Sequence, residues 1–166
     1  MNPSISLADI VIRTDLRAGD IGYITYLHGR LYGEEYSYGI EFETYVARGL
    51  AEFHKNYDPL ANRVWICEHG NKMIGCILLM DRGEAAQLRY FLIEPAYRGI
   101  GLGQQLMDLY FEFLKQCGYK SAYLWTTNEQ SSAAHLYRKY GFILTEEKES
   151  TAFGKHVKEQ RYQLIL

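Results

Sequence analysis

Apolar residues recur along the chain at two spacings, one typical of helices and the other of strands. The helical spacing of i, i+3 and i+4 puts an apolar stripe on one side of a segment, and it predicts four helices. They cover residues 20–28, 42–54, 102–117 and 131–140. Between the first two helices, the three glycines of residues 29–39 predict an irregular loop.

Shorter apolar runs, some of them alternating with polar residues, predict seven strands. They cover residues 9–14, 63–69, 72–81, 85–93, 121–126, 142–147 and 158–166. Gly70 and Asn71, between the second run and the third, tolerate positive φ and predict a two-residue hairpin turn.

Both faces of this hairpin are apolar. Pairing across the turn sets Cys67 opposite Ile74 and Trp65 opposite Cys76. The two predicted faces hold Trp65, Cys67, Ile74 and Leu78 on one side, and Val64, Ile66, Ile77 and Leu79 on the other. Because a sheet buried on both faces needs helices on both sides, the chain is predicted to be an α/β fold. We expect a mixed, mostly antiparallel sheet of six to seven strands with helices on both faces.

The composition is that of a folded domain, with 48% hydrophobic and 23% charged residues and a formal net charge of −2. At 166 residues, the chain is expected to form a single domain over residues 1–166. Because Lys and Arg form no cluster, neither nucleic acid nor an anionic membrane is an expected partner. The longest apolar run, residues 73–80, is far shorter than the roughly 20 residues of a membrane span.

Residues 1–10 have no signal-peptide pattern, and the cysteines Cys67, Cys76 and Cys117 are unevenly spaced. They indicate reduced core residues and a cytoplasmic protein. The five histidines show no ligand spacing, so no metal site is predicted. Tyrosine is abundant, with 15 residues, and several lie between residues 23 and 45. Their rings either fill a helical layer or line a substrate cleft.

Residues 98–103 (RGIGLG) join a predicted strand to a predicted helix, where backbone N–H groups lack helical partners. The helix dipole and the missing side chains let a phosphate approach the backbone, and Arg98 adds a positive charge. A pyrophosphate is therefore the expected ligand, and a turn without a ligand is the alternative. Gln104 stands where a P-loop has lysine, and the alternate glycines differ from a dinucleotide-binding fingerprint.

Two segments resemble motifs of the GNAT acetyltransferases. Residues 92–107 (LIEPAYRGIGLGQQLM) resemble motif A, whose Arg/Gln-x-x-Gly-x-Gly/Ala loop binds the pyrophosphate of coenzyme A. Residues 133–142 (AAHLYRKYGF) resemble the Ala-x-x-Leu-Tyr-x-x-x-Gly-Phe signature of motif B. The resemblance implies the GNAT fold and an N-acetyltransferase with acetyl-CoA as co-substrate. Residues 12–20 and 124–126 are also similar to the acetyltransferase half of bacterial MarR–GNAT fusion proteins, and no DNA-binding role is carried over.

The resemblance also implies roles for individual residues. A backbone N–H of Leu92 or Ile93 polarises the acetyl carbonyl, Tyr137 protonates the leaving thiolate, and Asn128 is a candidate contact for the pantetheine arm. The residues expected to hold the pyrophosphate are Arg98, Gly99, Ile100, Gly101, Leu102 and Gly103.

No unique general base is implied, and four carboxylates are candidates. Glu84 and Glu94 flank the motif A strand, and Glu34 and Glu35 lie in the predicted loop. The expected acceptor is a primary amine on a small molecule or a protein, and a homodimer is expected from the family. A non-catalytic acyl-CoA sensor is the alternative function, because Tyr137 is also readily explained as a core aromatic residue.

Overall fold

The computed structural model describes residues 4–166, which form one seven-stranded sheet with helices packed against it. The strands are β1 (Val11–Arg13), β2 (Arg63–His69), β3 (Lys72–Arg82), β4 (Ala85–Ile93), β5 (Ser121–Thr127), β6 (Ile143–Ser150) and β7 (Val157–Ile165). Their order across the sheet is β1-β2-β3-β4-β5-β7-β6. Of the paired strands in this described part, β4 and β5 are parallel and the others antiparallel. The predicted mixed, mostly antiparallel sheet is confirmed.

Within the same residues, four α-helices cover both faces of the sheet. They are α1 (Asp20–Tyr36), α2 (Ile40–Lys55), α3 (Leu102–Gln116) and α4 (Ser131–Lys139). On one face, Leu27 of α1 and Leu50 of α2 share a buried cluster with Ile66 of β2. On the other face, Leu106 of α3 shares a second cluster with Trp65. Helices on both faces, as predicted, are therefore confirmed.

Helix α1 extends further than the sequence pattern indicated. The loop expected over residues 29–39 is instead mostly helical, and α1 ends only at Ser37, whose φ is 60°. Gly29 lies where the side chain of Glu43 from α2 crosses α1, so a β-carbon there would collide with it. Gly29 is thus an interior residue of α1, with the carboxylate end of Glu43 against it, rather than part of a loop. The longer helix carries Tyr32 and Glu35 to the site described below.

The register of the β2–β3 hairpin also differs from the expected one. Cys67 pairs with Gly75 and Trp65 with Ile77, because a bulge shifts the register between Cys67 and Glu68. The shift moves the residues of β3 from Cys76 onwards to the face opposite the one expected. Ile77 consequently packs with Trp65 and Cys67, although the unbulged pairing had put it on the other side.

A buried ion-pair network joins β1, β2 and the start of α1. Arg13, whose side chain is 11% exposed, donates two hydrogen bonds to Asp20 at 2.8 and 2.9 Å and one to Glu68 at 2.8 Å. Asp20 also accepts the backbone N–H of Arg17 at 2.7 Å. These carboxylates raise the pKa of Arg13, so its charge is retained in this largely buried position.

Replacing Asp20 with asparagine should lower the free energy of unfolding by about 2–3 kcal/mol, because the buried Arg13 loses its bidentate partner. Asp15→Asn is the matched control, since Asp15 is 53% exposed and lies 3.9 Å from Arg13. That change should cost less than about 0.5 kcal/mol. Urea denaturation of both variants measures the difference, and equal losses would show that the network does not hold α1.

Candidate functional site

The sheet opens between its two parallel strands. β4 and β5 pair only from Ala85 to Gln87 on β4 and from Ser121 to Tyr123 on β5. Both strands continue beyond these residues without pairing to each other, to Ile93 and Thr127 respectively. Their carboxyl-terminal halves therefore separate and leave backbone groups unpaired along a gap in the middle of the sheet.

A bulge in β4 sets the direction of the backbone beside this gap. Arg89 pairs with Leu78 and Leu92 pairs with Cys76, so Tyr90 and Phe91 together face a single residue of β3. Tyr90 takes a positive φ of 55°, and its carbonyl accepts the Cys76 thiol at 3.0 Å. A positive φ is uncommon for an aromatic residue and marks a locally strained backbone.

Two N–H groups of β4 face the gap. The carbonyl of Tyr90 faces β3, so the N–H of Phe91 in the same trans peptide points away from β3. The Leu92 carbonyl also faces β3, beside Gly75, so the N–H of Ile93 points to the gap as well. Of the two N–H groups predicted to polarise a carbonyl, only that of Ile93 faces the gap. Leu92 directs its N–H towards β3, and Phe91 was missed.

Beyond β4, a 3₁₀ turn (Pro95–Tyr97) leads into the glycine-rich loop and then into α3. Gly99 and Gly101 take φ values of 79° and 90°, which a residue with a β-carbon rarely adopts. Within residues 4–166, none of the backbone N–H groups from Gly99 to Gln104 donates to a protein acceptor, and the first such bond is from Gln105 to Gly101. The predicted anion cradle is thus formed by consecutive free donors at a helix N-terminus.

Arg98 does not direct its charge into this cradle. Its guanidinium donates two hydrogen bonds to Glu35 of α1 at 2.7 and 3.0 Å, and a third to the Ile93 carbonyl at 2.9 Å. Its backbone N–H donates to Pro95. The ion pair with Glu35 raises the pKa of Arg98. The residue therefore ties α1 to the end of β4, and it also lines the cavity beside Gly99 and Gly103.

Two cavities meet at the gap. The first, here called the groove, has a volume of about 380 Å³ and is lined by Phe91, Ile93, Gly99, Gly103, Ser132 and Leu136, among others. The second, the aromatic pocket, has about 80 Å³ and is lined by His28, Tyr45, Arg89, Tyr90, Thr126 and Tyr137, among others. Tyr32, Phe91 and Gln130 line both cavities and form their common wall. Tyrosines of α1 and α2 therefore both fill the helical layer and line a cleft.

Tyr137 stands on α4 at the wall of the aromatic pocket. It is 5% exposed, and burial raises the pKa of its phenol, so the hydroxyl keeps its proton at neutral pH. No hydrogen bond within the described residues engages that hydroxyl. Its ring packs on Phe91, Phe142 and Tyr162. The neighbouring Leu136 lines the groove, so Tyr137 lies at the boundary of the two cavities.

Of the four carboxylates expected as a base, Glu35 lines the groove, where it pairs with Arg98, and the other three lie outside both cavities. Glu84 is in the β3–β4 turn, and the nine residues of β4 put it roughly 25–30 Å from the glycine-rich loop. Glu94 is buried between Arg30 at 3.4 Å and Lys72 at 3.7 Å, and it lines neither cavity. Glu34 is exposed and lies 3.7 Å from Arg30.

Asn128 is not directed at the groove either. Its side-chain oxygen accepts the backbone N–H of Lys158 at 3.0 Å, which joins the end of β5 to β7. Gln130 takes the position on the common wall instead. Its side chain accepts the Tyr32 hydroxyl at 3.4 Å and donates to Thr127 at 3.3 Å. Because a polar residue in a loop gives no periodic signal, the sequence pattern did not single it out.

His28 is a functional candidate that the sequence pattern did not reveal. It lies on the buried face of α1 and lines the aromatic pocket. Its Nδ1 is 2.8 Å from the Ile24 carbonyl, which can only accept, so Nδ1 carries the proton and Nε2 has a free lone pair. Burial lowers the pKa of His28 to about 4, so the ring is neutral at physiological pH. The sequence signal that could have revealed His28 is its position in the apolar stripe of α1, between Ile24 and Leu31.

Two further kinds of feature are absent from the described residues. Residues 4–166 contain no group of three or more His, Cys, Asp or Glu side chains arranged to hold a metal ion. In the same part of the chain, no helix has both the length and the apolar character needed to cross a membrane.

Comparison with known proteins identifies a family. The sequence model of the Acetyltransferase (GNAT) family matches residues 28–142, well over half of the chain. An uncharacterized N-acetyltransferase of Methanocaldococcus jannaschii is 28% identical over 92 residues, which are 51% of this chain and 39% of that protein. N-acetyltransferase family 8 member 2 of Rattus norvegicus is 28% identical over 116 residues, 64% of this chain and 51% of that protein. The chain thus spans about half the length of these curated relatives or less.

Solved structures share the fold. A GNAT family acetyltransferase from Staphylococcus aureus has a TM-score of 0.77 at 18% identity, over 95% of this chain and 99% of that chain. A GNAT family acetyltransferase from Elizabethkingia anophelis with acetyl-CoA bound has a TM-score of 0.66 at 18% identity, over 95% of this chain and 99% of that chain. Spermidine N-acetyltransferase from Vibrio cholerae, in complex with CoA and spermine, has a TM-score of 0.69 at 21% identity, over 95% of this chain and 96% of that chain. At these identities the likeness is one of fold.

Proposed function

The chain belongs to the GNAT acetyltransferase family, and on that premise we propose that it transfers the acetyl group of acetyl-CoA to a primary amine. One observation carries the proposal. The run of free N–H groups from Gly99 to Gln104 lies at the N-terminus of α3 and beside a groove in the split sheet. A pyrophosphate supplies the acceptors that these donors lack, and the groove gives room for an extended arm. The acceptor is a small molecule or a protein amine.

The thioester end of the coenzyme belongs at the common wall of the two cavities. There, the N–H groups of Phe91 and Ile93 face the gap and can donate to the acetyl carbonyl and to the pantetheine arm. Such fixed donors stabilise negative charge on a carbonyl oxygen without reorganisation during the reaction. The amine approaches from the aromatic pocket, on the opposite side of Phe91 from the groove.

Two buried side chains that line the aromatic pocket are suited to contact the reacting groups. The Tyr137 hydroxyl, protonated at neutral pH and free of other partners, donates a proton to the departing thiolate. The neutral His28 can accept a hydrogen bond from the amine through Nε2. A base with a pKa of about 4 is weak, so we assign His28 to orienting the amine rather than to removing its proton. The proton that the nitrogen releases on forming the amide passes to water, and water returns a proton to the Tyr137 phenolate.

Other features of the protein remain predictions. We propose that residues 1–166 work as one acetyltransferase domain in the cytoplasm, and the nearer likeness to MarR–GNAT fusion proteins stays a hypothesis, as does a homodimer. The second candidate function is a sensor that binds acyl-CoA without turnover. Such a sensor needs the groove but no proton donor beside the sulfur, so Tyr137 distinguishes the two.

Acetyl-CoA should stabilise the folded protein. At a hundredfold excess over Kd, binding adds about 2.7 kcal/mol, which for a chain of this size raises Tm by roughly 5–10 °C. ATP and NADH at equal concentrations should raise Tm much less, since neither fits both the pyrophosphate cradle and the narrow gap. Differential scanning fluorimetry measures the three shifts. A large shift with ATP and none with acetyl-CoA would overturn the proposal.

Gly103→Val should weaken coenzyme A binding by roughly tenfold or more, about 1.4 kcal/mol, with the fold retained. A β-carbon at Gly103 would touch Phe91, Ile93 and Leu136 at 3.6–3.7 Å, so the added methyl groups enter the groove. Gly22→Val is the matched control, because Gly22 also lies in the first turn of a helix and a β-carbon there would have no atom within 4 Å. Calorimetric Kd and Tm of both variants decide, and a folded Gly103→Val protein with parental affinity would refute the cradle.

With an amine that the parent protein acetylates, Tyr137→Phe should lower kcat by roughly 10²–10⁴-fold, since the thiolate loses its proton donor. Coenzyme affinity and Tm should change little, because the ring and its packing are kept. Tyr110→Phe is the control, because that hydroxyl is also buried without a partner and lies away from both cavities. Rates of thiol release measure kcat. If both variants turn over at the parental rate, Tyr137 is only a core residue.

A further inference from the structure

The aromatic pocket contains polar groups that have no partner in the protein. Among residues 4–166, the hydroxyls of Tyr90 and Thr126 are buried and make no hydrogen bond. Tyr90 is 8% exposed and Thr126 is 7% exposed, and both line the pocket. Buried polar groups in folded proteins nearly always have partners, and because these two residues line a cavity, their hydroxyls are available to a polar ligand bound there.

Arg89 adds an uncompensated positive charge to the same pocket. Its guanidinium stacks over the rings of Tyr45 and Tyr90, at 5.3 and 4.6 Å, and its nearest polar contact is the Met80 sulfur at 3.8 Å. Within the described residues it forms no ion pair, whereas the largely buried Arg13 and the exposed Arg98 each pair with a carboxylate.

Helix α2 provides the space in which this guanidinium lies. A β-carbon at Gly49 would lie against the Tyr90 hydroxyl and 2.8 Å from Nη2 of Arg89. The Tyr90 hydroxyl and the Arg89 guanidinium therefore both lie against Gly49, the residue of this helix turn that has no side chain. The stacked rings keep the guanidinium plane in place and shield it from water, which strengthens its attraction for an anion.

The pocket also contains one carboxylate that must be considered. Glu159 of β7 lines it, and no oxygen of Glu159 lies within ion-pair distance of Arg89 in the described structure. Glu159 is instead directly opposite Lys148 in the β6–β7 register. The charge of Arg89 is therefore left for a ligand. A polycationic amine would meet Arg89 at close range, which disfavours it as the acceptor.

From these contacts we propose that the acceptor is a small primary amine that also carries a carboxylate, and that Arg89 binds this carboxylate. The pocket, at about 80 Å³, is well below the 300–1,000 Å³ of typical ligand sites, so the acceptor is small. A planar guanidinium matches a carboxylate with two parallel hydrogen bonds, and the Tyr90 hydroxyl is a further donor. This inference rests on the proposed acetyl transfer and adds the chemical class of its acceptor.

The test compares amino acids with their amides. Glycine, β-alanine, 4-aminobutyrate and aspartate are each assayed with acetyl-CoA beside the corresponding amide, and spermidine serves as the polycation. For the best pair, kcat/KM of the acid should exceed that of the amide by about tenfold or more, because the amide leaves Arg89 unpaired. Arg89→Gln should bring this ratio close to one, because it lowers kcat/KM of the acid by about tenfold more than that of the amide, and Arg89→Lys should retain part of the preference.

Arg63→Gln is the matched control, since Arg63 also stacks on an aromatic ring, Phe113 at 4.2 Å, but lies outside the pocket. It should keep the parental ratio, whereas a general loss of stability would lower the rates for acid and amide together. Equal rates for acids and amides, or a preference for spermidine, would overturn the inference and leave the proposed function standing.

Failure of the proposed function gives a different result, namely no stabilisation of the parent protein by acetyl-CoA. If acetyl-CoA binds but no amine of the panel is acetylated, calorimetry with each of the four amino acids in the presence of CoA decides. Binding that Arg89→Gln abolishes supports the carboxylate site, and the absence of binding by all four amino acids overturns it.

Discussion

The site depends on one constraint, which is that β4 and β5 stop pairing midway and release backbone donors that must find other acceptors. A buried N–H without a partner costs about 1–3 kcal/mol, so such a gap persists only where a ligand or water fills it. The bulge at Tyr90 maintains the opening. Beyond it, β4 continues to pair with β3 and no longer pairs with β5. The free donors of the glycine-rich loop continue the same edge, and together they form a continuous path for a ligand with many acceptors.

The helical layer closes this gap through polar contacts. Arg98 pairs with Glu35 of α1, and the Tyr32 hydroxyl donates to Gln130 across the top of the opening. Tyr38 adds a hydrogen bond of 2.6 Å to Thr127 at the end of β5. These contacts hold the two halves of the split sheet at a set distance. They also explain why α1 continues through Gly29, since a helix ending at residue 28 could not present Tyr32 or Glu35.

The sequence pattern predicted the sheet, the helices on both faces and the glycine-rich loop, because apolar periodicity and helix-end glycines are local signals. It failed where a glycine lies inside a helix, as Gly29 does in α1, and where a bulge shifts the register, as between Cys67 and Glu68. Side-chain partners were also beyond it. The charge of Arg98 had the right place along the chain, but its pairing with Glu35 depends on how α1 crosses the sheet. His28 looked like any other member of an apolar stripe.

Burial acts in opposite directions on the two titratable rings of the aromatic pocket, and the result is the same for both. It lowers the pKa of His28 and raises that of Tyr137, because each is penalised for carrying charge. Both are therefore neutral at physiological pH, which suits a reaction in which a neutral amine attacks a neutral thioester. Arg89 is charged in the same surroundings, since a guanidinium does not lose its proton in proteins. A charge that cannot be removed by titration favours an anion beside it, and the carboxylate that we propose for the acceptor supplies one.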